Sequence, residues 1–544
     1  MPNHLIIIYV VLPMLAGILT ILAHRWRRLQ SALGLALLIG NAALAWAGLL
    51  AVCGTTGETG RILVSQMGNW PAPFGITIAL DPLSAVMLAV ESTVCLAVFI
   101  YCIGQLPHRF AGGYFHPLFH LLMMGVQWSF ITGDLFNLFV AFEIMLMASY
   151  AMFCVGTTRQ QMRQAYKYIL LNLIGSTLFV TCTGLLYGQL GTLNMADIAR
   201  LGLEGGIEPK AVPVITMLLV VFGLKTAIFP LWYWLPDTYH TLPPVIGGLF
   251  AGLLTKVGAY VMIRVFVMIF GSAVGPEGLL VSETIGPVLL VVAGVTMFVG
   301  VLGAVSMHTV RRILSIHIIS QVGYMIMGIG IAITASGANR QMALAGAIFF
   351  IMHNMVVKCC LFLCGGLMVE HAGDDDLERI GGLLRRAPWL AALFLVAAMS
   401  LAGLPPLSGF FGKFVLIREA FTGGFWILSI TAVATSLLTL MSMLKIWSYG
   451  FWSPPQGLHV EKPLHRPPTR LGLGAVAMLV IFALSMGPGA GLYMKVAKTA
   501  AASLVDPRAY ISAVLGPEHV PGTPAVAEST TAAQLATLET GDVR

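Results

Sequence analysis

The chain has 544 residues, 58% of them hydrophobic and only 10% charged, with a mean hydropathy of +0.88 and a formal net charge of +7. A soluble domain needs a charged shell of roughly 25%, so a soluble fold is excluded. The basic residues are scattered between apolar runs and not gathered on one soluble face, which excludes a nucleic-acid-binding patch.

The apolar residues come in runs of about 20, the length that a hydrocarbon core of about 30 Å demands of a helix. Taken in chain order, roughly fourteen candidate spans follow from that window. They lie near 5–23, 31–53, 80–103, 114–132, 134–155, 167–188, 211–231, 244–270, 284–305, 312–333, 341–369, 388–417, 424–448 and 472–493. The expected fold is therefore an all-α polytopic membrane protein with about fourteen transmembrane helices. The first span lacks a basic flank and a small-residue cleavage site, and reads as a retained helix.

Five segments are expected. Residues 1–113 carry helices 1–3, residues 114–271 a first repeat (helices 4–8) and residues 272–448 a second repeat (helices 9–13). Residues 449–500 hold the last helix with its flanking loop. In 501–544, VDPRAYISAVL predicts a short surface helix, and the Ala-, Thr- and Pro-rich remainder reads as a disordered tail.

Lys and Arg alternate between loops. Arg25, Arg27 and Arg28, then Arg109, then Arg159, Arg163 and Lys167, fall on one side. Arg311, Arg312, Arg379, Arg385, Arg386, Lys462, Arg466 and Arg470 continue it. The opposite loops carry only Arg61, Arg200, Lys210, Arg340 and Arg418. The positive-inside rule puts the first set in the cytoplasm and both termini outward.

All eight cysteines fall within or at the edge of apolar spans and read as small buried hydrophobes. No CxxC pair supports a metal site, and no glycine-rich phosphate loop, flavin site or haem site is expected. No cofactor is predicted.

The informative residues are ionisable groups deep inside spans: Glu143, Lys225, Lys256, Lys358 and Lys413, with His317 and His353 in company. A charge at the centre of a bare helix costs about 2.5–3.5 kcal/mol on insertion scales. Five such placements point to an ion or proton pathway. Each has a plainer reading: Glu143 as a structural partner of a lysine, or Lys256 snorkelling towards a span end. Lys225 lies nearer mid-membrane, where snorkelling fits less well. Arg264, Lys445 and Glu91 read as structural.

Two breaks accompany these charges. In GLKTAIFPLWYWLPDTYHTLPPVIGG, Pro230 and Pro236 interrupt an apolar run; in SLAGLPPLSGFFGKF, Gly403, Pro405, Pro406 and Gly409 do so. Proline removes a backbone donor, and freed carbonyls at membrane depth must face protein or a wet cavity. Lysine precedes the first break and follows the second, the mirrored order expected of an inverted repeat with discontinuous helices. A buried amine loses affinity for its proton and regains it beside a carboxylate. Glu143 therefore reads as an electrostatic switch on Lys225, feeding a lateral row through Lys256, His317, Lys358 and Lys413.

The stretches TGDLFNLFVAFEIMLMASY, GLKTAIFPLWYWLPDTYH, PPVIGGLFAGLLTKVGAYVMIR, RRILSIHIISQVGYMIMG, MHNMVVKCCLFLCGG and AGLPPLSGFFGKF occur in order from about Gly125 to Ile417. Through them the chain resembles the antiporter-like proton-channel subunits shared by Mrp cation/proton antiporters and respiratory complex I, most of all the Mrp D subunit. The resemblance makes Glu143 the fifth-helix glutamate and Lys225 the lysine of the broken seventh helix. Lys256, Lys358 and Lys413 become the lysines of helices eight, eleven and twelve, and His317 the Mrp-like residue of helix ten. His353, Asp237 and His240 are candidate supports of the proton path. Asn354 stands where a second histidine beside His353 is expected.

The resemblance further implies a bacterial inner-membrane protein working beside a large A subunit and several small ones, within membrane lipid. Such a complex exchanges outward sodium or potassium for inward protons. The runner-up is a proton-pumping membrane component of a complex I-like oxidoreductase or membrane-bound hydrogenase. No carboxylate cluster marks an evident hard-cation site.

Overall fold

The computed structural model describes residues 3–54, 60–105, 114–155, 158–271, 281–454 and 467–521. Arg109, Lys462, Arg466 and the tail beyond 521 lie outside these. The described chain is almost wholly helical. The order is α1 (Ile8–Leu22), α2 (Arg27–Cys53), β1 (Leu63–Gln66), β2 (Thr77–Leu80), α3 (Pro82–Gln105), α4 (Phe115–Ile131), α5 (Leu135–Cys154) and α6 (Arg159–Leu190). Then come α7 (Met195–Leu203), α8 (Val212–Thr226), α9 (Trp234–Tyr239), α10 (Pro244–Ile263), α11 (Val281–Ser306), α12 (Val310–Thr334) and α13 (Gly337–Ala372). The chain closes with α14 (Leu383–Arg386), α15 (Pro388–Ala402), α16 (Ser408–Thr422), α17 (Trp426–Trp447), α18 (Arg470–Ser485), α19 (Ala490–Val505) and α20 (Arg508–Leu515).

Eleven described helices are long and apolar enough to cross a membrane. The other three predicted spans fall on α4, α15 and α18, helices of 17, 15 and 16 residues. The all-α polytopic expectation holds. The last span differs from the expected straight run over 472–493: α18 and α19 meet at 79°. Gly487, Pro488 and Gly489 stand at the corner, and neither a proline nor paired glycines continue a helix. α19 also runs across the boundary expected at 501.

Both anticipated breaks are real. α8 stops at Thr226, and Ala227 takes a left-handed conformation (φ 63°) that a residue with a Cβ adopts only under tertiary constraint. The chain then runs irregularly to the single turn of α9. The second break separates α15 from α16 over residues 403–407, with Gly403 at φ 90°. A Cβ there would crowd Lys413 Cδ at 3.0 Å, so glycine serves both the turn and the lysine's approach.

Packing sorts the helices by depth. α10, α12 and α13 are buried throughout their apolar windows and form the centre, while α1, α2, α6, α11 and α17 keep apolar faces outward. On one face, β1 pairs antiparallel with β2, and short bridges join Ile78 to Thr132 and Asp134 to Asn194. On the face that carries Lys167, Arg311 and Arg312, Asp237 meets Lys167 at 2.7 Å and Arg312 at 3.8 Å, and Arg311 meets Asp375 at 3.2 Å. Lys167 and Arg312, placed on one side by charge, therefore meet on one carboxylate.

A buried ion pair ties α3 to the end of α10. Arg264 donates to Asp81 and, at 2.9 Å, to the Ser84 hydroxyl; both charged side chains are at most 3% exposed. Tyr510 of α20 covers the guanidinium at 5.7 Å. Arg264 is thus held in a buried ion pair. Lys445 likewise bonds the carbonyls of Val305 (3.1 Å) and Met307 (2.8 Å) at and beyond the end of α11. Glu91 accepts from Gln127 at 2.7 Å and from Cys95 at 3.2 Å.

Candidate functional site

Glu143 lies nine residues into α5, whose start is fixed by the Asp134 side chain accepting from the Asn137 amide at 2.8 Å. It is half-buried, and its sealed Oε1 meets no hydrogen-bond donor among the described residues. Lys225 occupies the last turn of α8, beside carbonyls left free by the break. Its ammonium donates to the Asn172 carbonyl (3.2 Å), the Asn172 side chain (3.3 Å) and the Ser176 hydroxyl (3.3 Å), all on α6. Glu143 and Lys225 form no ion pair, yet the carboxylate is near enough to act on the ammonium through space. The lysine is held by neutral oxygens, and the acid stands by.

Lys256 sits in the middle of α10, fully buried, and donates to the Ala251 carbonyl at 2.5 Å. Gly258 lets the end of α8 pack against the same helix: a Cβ there would lie 2.5 Å from the Thr226 hydroxyl. Lys358 on α13 reaches the Leu314 carbonyl of α12 at 3.4 Å and lies within electrostatic range of Lys256 and Lys413. His317 and His353 are each in range of Lys358 and Lys413. Snorkelling does not describe Lys256, which reaches no surface.

His317 Nε2 contacts the Ser442 hydroxyl at 2.9 Å, and Nδ1 faces Ser320 at 3.4 Å. His353 Nδ1 contacts Ser408 at 2.8 Å, and Ser408 contacts Ser400 at 3.0 Å across the second break. Lys413 donates to the Leu401 carbonyl (2.9 Å), the Ala402 carbonyl (3.1 Å) and the Ser436 hydroxyl (3.2 Å), and stands 5.0 Å from the centre of the Tyr324 ring. Asn354 is fully buried, and neither end of its amide meets a partner among the described residues.

These positions bring Lys256, His317, His353, Lys358 and Lys413 into one buried group, with Glu143 and Lys225 at its α5–α8 end. Asp237 and His240 stand apart, on the arginine-bearing face. His240 Nδ1 lies 2.8 Å from the Pro236 carbonyl. Burial holds its imidazole below the ordinary value, and Arg312 and Arg311 push the same way.

Sequence reasoning missed the hydroxyls and amides that seat each charge. Asn172 and Ser176 had a readable signal: two polar residues at helical spacing in an apolar span. Ser400, Ser408, Ser436 and Ser442 had none, because they become partners only through packing. Among the described residues no cluster of His, Cys, Asp or Glu has the makings of a metal site.

Residues 132–439, which take in Glu143 through Lys413, match the family described as NADH:quinone oxidoreductase/Mrp antiporter, transmembrane. The chain is 40% identical over 515 residues to the D subunit of the Na+/H+ antiporter of Alkalihalophilus pseudofirmus, covering 94% of this chain and 99% of that one. The chain belongs to this family, in the branch of the antiporter D subunits. The corresponding D subunit of Bacillus subtilis is 34% identical over 522 residues, covering 94% of this chain and 99% of that one. The Mrp complex from Dietzia sp. DQ12-45-1b contains a chain that superposes with a TM-score of 0.84 at 32% identity, with 94% and 99% of the two chains covered. A chain of Thermus thermophilus respiratory complex I has a TM-score of 0.76 at 23% identity over 92% and 100% of the two chains, a likeness of fold alone. The resemblance drawn from the motifs is borne out, and family membership makes this a multi-pass membrane protein.

Proposed function

We propose that the chain is the proton-translocating subunit of a multisubunit Na+(K+)/H+ antiporter that exchanges cytoplasmic monovalent cation for external protons. The observation that carries this reading is the buried row itself: four lysines and two histidines, each seated on hydroxyls or backbone carbonyls, none in an ion pair among the described residues. A locked salt bridge would hold a proton fast. An ammonium on neutral oxygens can release one when its neighbour changes charge.

Glu143 is the switch. As its carboxylate approaches Lys225, the lysine keeps its proton; as it withdraws, burial favours the neutral amine. The released proton passes to Lys256 and on to Lys358, whose charge repels those of Lys256 and Lys413, so that loading one site helps to empty the next. His317 and His353 bridge Lys358 to Lys413, each able to take a proton on one ring nitrogen and yield one from the other. Lys413 delivers it at the second break. Asp237 and His240 serve access from the arginine-bearing face, which we place in the cytoplasm of a bacterial inner membrane with both termini outward.

The partners in this reading are a large A subunit and small membrane subunits of an Mrp-type complex, within membrane lipid, with protons and Na+ or K+ as substrates. The test is fluorescence-monitored dissipation of a proton gradient in energised inverted vesicles carrying the whole complex. Added Na+ or K+ should collapse the gradient in the wild type and leave it intact in Lys225→Ala. Equal collapse in both would overturn the reading.

A further inference from the structure

A second buried polar group lies between α1, α2 and α4, outside residues 132–439 and unused by the mechanism above. His116 and His120 lie one turn apart on α4, 7% and 1% exposed; Asn41 of α2 is 2% exposed. Both nitrogens of His120, both ends of the Asn41 amide and Nδ1 of His116 meet no hydrogen-bond partner among the described residues. Buried polar groups are almost always paired, so five unpaired atoms in one place mark a site and not packing. Asn41 and His120 open into one narrow crevice with Leu12, Pro13, Leu37 and Met123. The backbone is shaped around the ring: a Cβ at Gly34 would lie 3.0 Å from His120 Nε2.

The group has a direction. His116 Nε2 faces the Ser31 hydroxyl at 3.4 Å, in the first turns of α2, which opens with Arg27 and Arg28. Gln127 continues the face of α4 that bears His116 and His120. It donates to Glu91, a fully buried carboxylate, while its own Oε1 meets no partner among the described residues. From His116 to Gln127 is about 16 Å along the helix, half the thickness of a hydrocarbon core. Cys95, bonded to Glu91, lies in electrostatic range of Cys359, which neighbours Lys256 in the same sense.

We propose that Ser31, His116, His120 and Asn41 form a proton-access path from the arginine-bearing face to the Gln127–Glu91 pair. Each histidine accepts a proton on one ring nitrogen and releases one from the other, so the path carries protons without consuming any. The path rests on the proton-conducting reading, and the test separates the two. In inverted vesicles carrying the whole complex, His120→Leu and His120→Gln should assemble and lower cation-driven proton flux about a hundredfold, as loss of a proton-transfer group does. Wild-type flux in an assembled His120→Gln complex overturns the path, and if Lys225→Ala still abolishes flux, the main reading survives. Equal flux in Lys225→Ala and wild type overturns that reading itself. Should neither His120 variant assemble, deuterium exchange at the ring Cε1 positions of the wild-type complex decides. Exchange of His116 and His120 on the timescale of exposed His24 supports the path, and protection of both overturns it.

Discussion

Lys413 closes the open end of the helix that stops at Ala402: its ammonium lies 3.1 Å from the Ala402 carbonyl and 2.9 Å from that of Leu401. The lysine comes from the far side of the break and returns to cap the helix before it. Lys225, at the first break, instead sits on the helix that ends and turns to α6 for its oxygens.

Lys413 therefore combines two duties that substitution should separate. Lys413→Ala removes a cation from a helix C-terminus and strands two buried carbonyls, at a cost of about 1–3 kcal/mol. Lys413→Gln keeps a donor near them and should restore most of the thermal stability of the purified complex. Cation-driven proton flux should be lost in both.

Glu143 offers the converse case. With no donor on its sealed oxygen, Glu143→Gln breaks no described hydrogen bond. Assembly and melting temperature should match wild type, while flux falls by about a hundredfold or more, as on loss of a proton-transfer group. A Gln variant that melts early would mean that the carboxylate is a structural partner of Lys225.

The Asp81–Arg264 pair should behave in the opposite way. Asp81→Ala leaves a buried guanidinium uncompensated, a loss of about 3–5 kcal/mol, and should deplete the folded protein from membranes. Asp81→Ala with Arg264→Met removes both charges. It should recover much of the lost protein and, once assembled, normal flux. Membrane abundance and specific flux, measured together, check it.

Asp237 is a third of the way exposed and shared between Lys167 and Arg312. Exposed pairs contribute at most about 1 kcal/mol and weaken with salt. Asp237→Asn should slow flux only at low ionic strength, with the difference from wild type vanishing as salt rises. A salt-independent loss would assign it a direct part in proton transfer.

Span number and charge placement are legible in the sequence because the bilayer imposes a length and exacts a penalty, both visible in a one-dimensional string. The breaks are legible because Pro230 and Pro405 cannot continue a helix. The corner at Gly487–Gly489 is equally written, but the apolar residues on either side mask it. Asp81 and Arg264 lie 183 positions apart, and no local pattern announces their meeting. The seats of the lysines are hidden for the same reason: Ser436 and Leu314 become partners only when helices far apart in sequence pack.

The β1–β2 hairpin has a mechanical role in the proposed relay. Ile78 of β2 bridges to Thr132, and Asp134, two residues on, both bridges to Asn194 and sets the first turn of α5. Glu143 hangs about 13 Å below that fixed point, nine residues at about 1.5 Å each. The hairpin is thus a depth gauge for the carboxylate. Lengthening or shifting it would raise or lower Glu143 against Lys225 without touching either residue, so in the proposed relay the hairpin sets the timing of the switch.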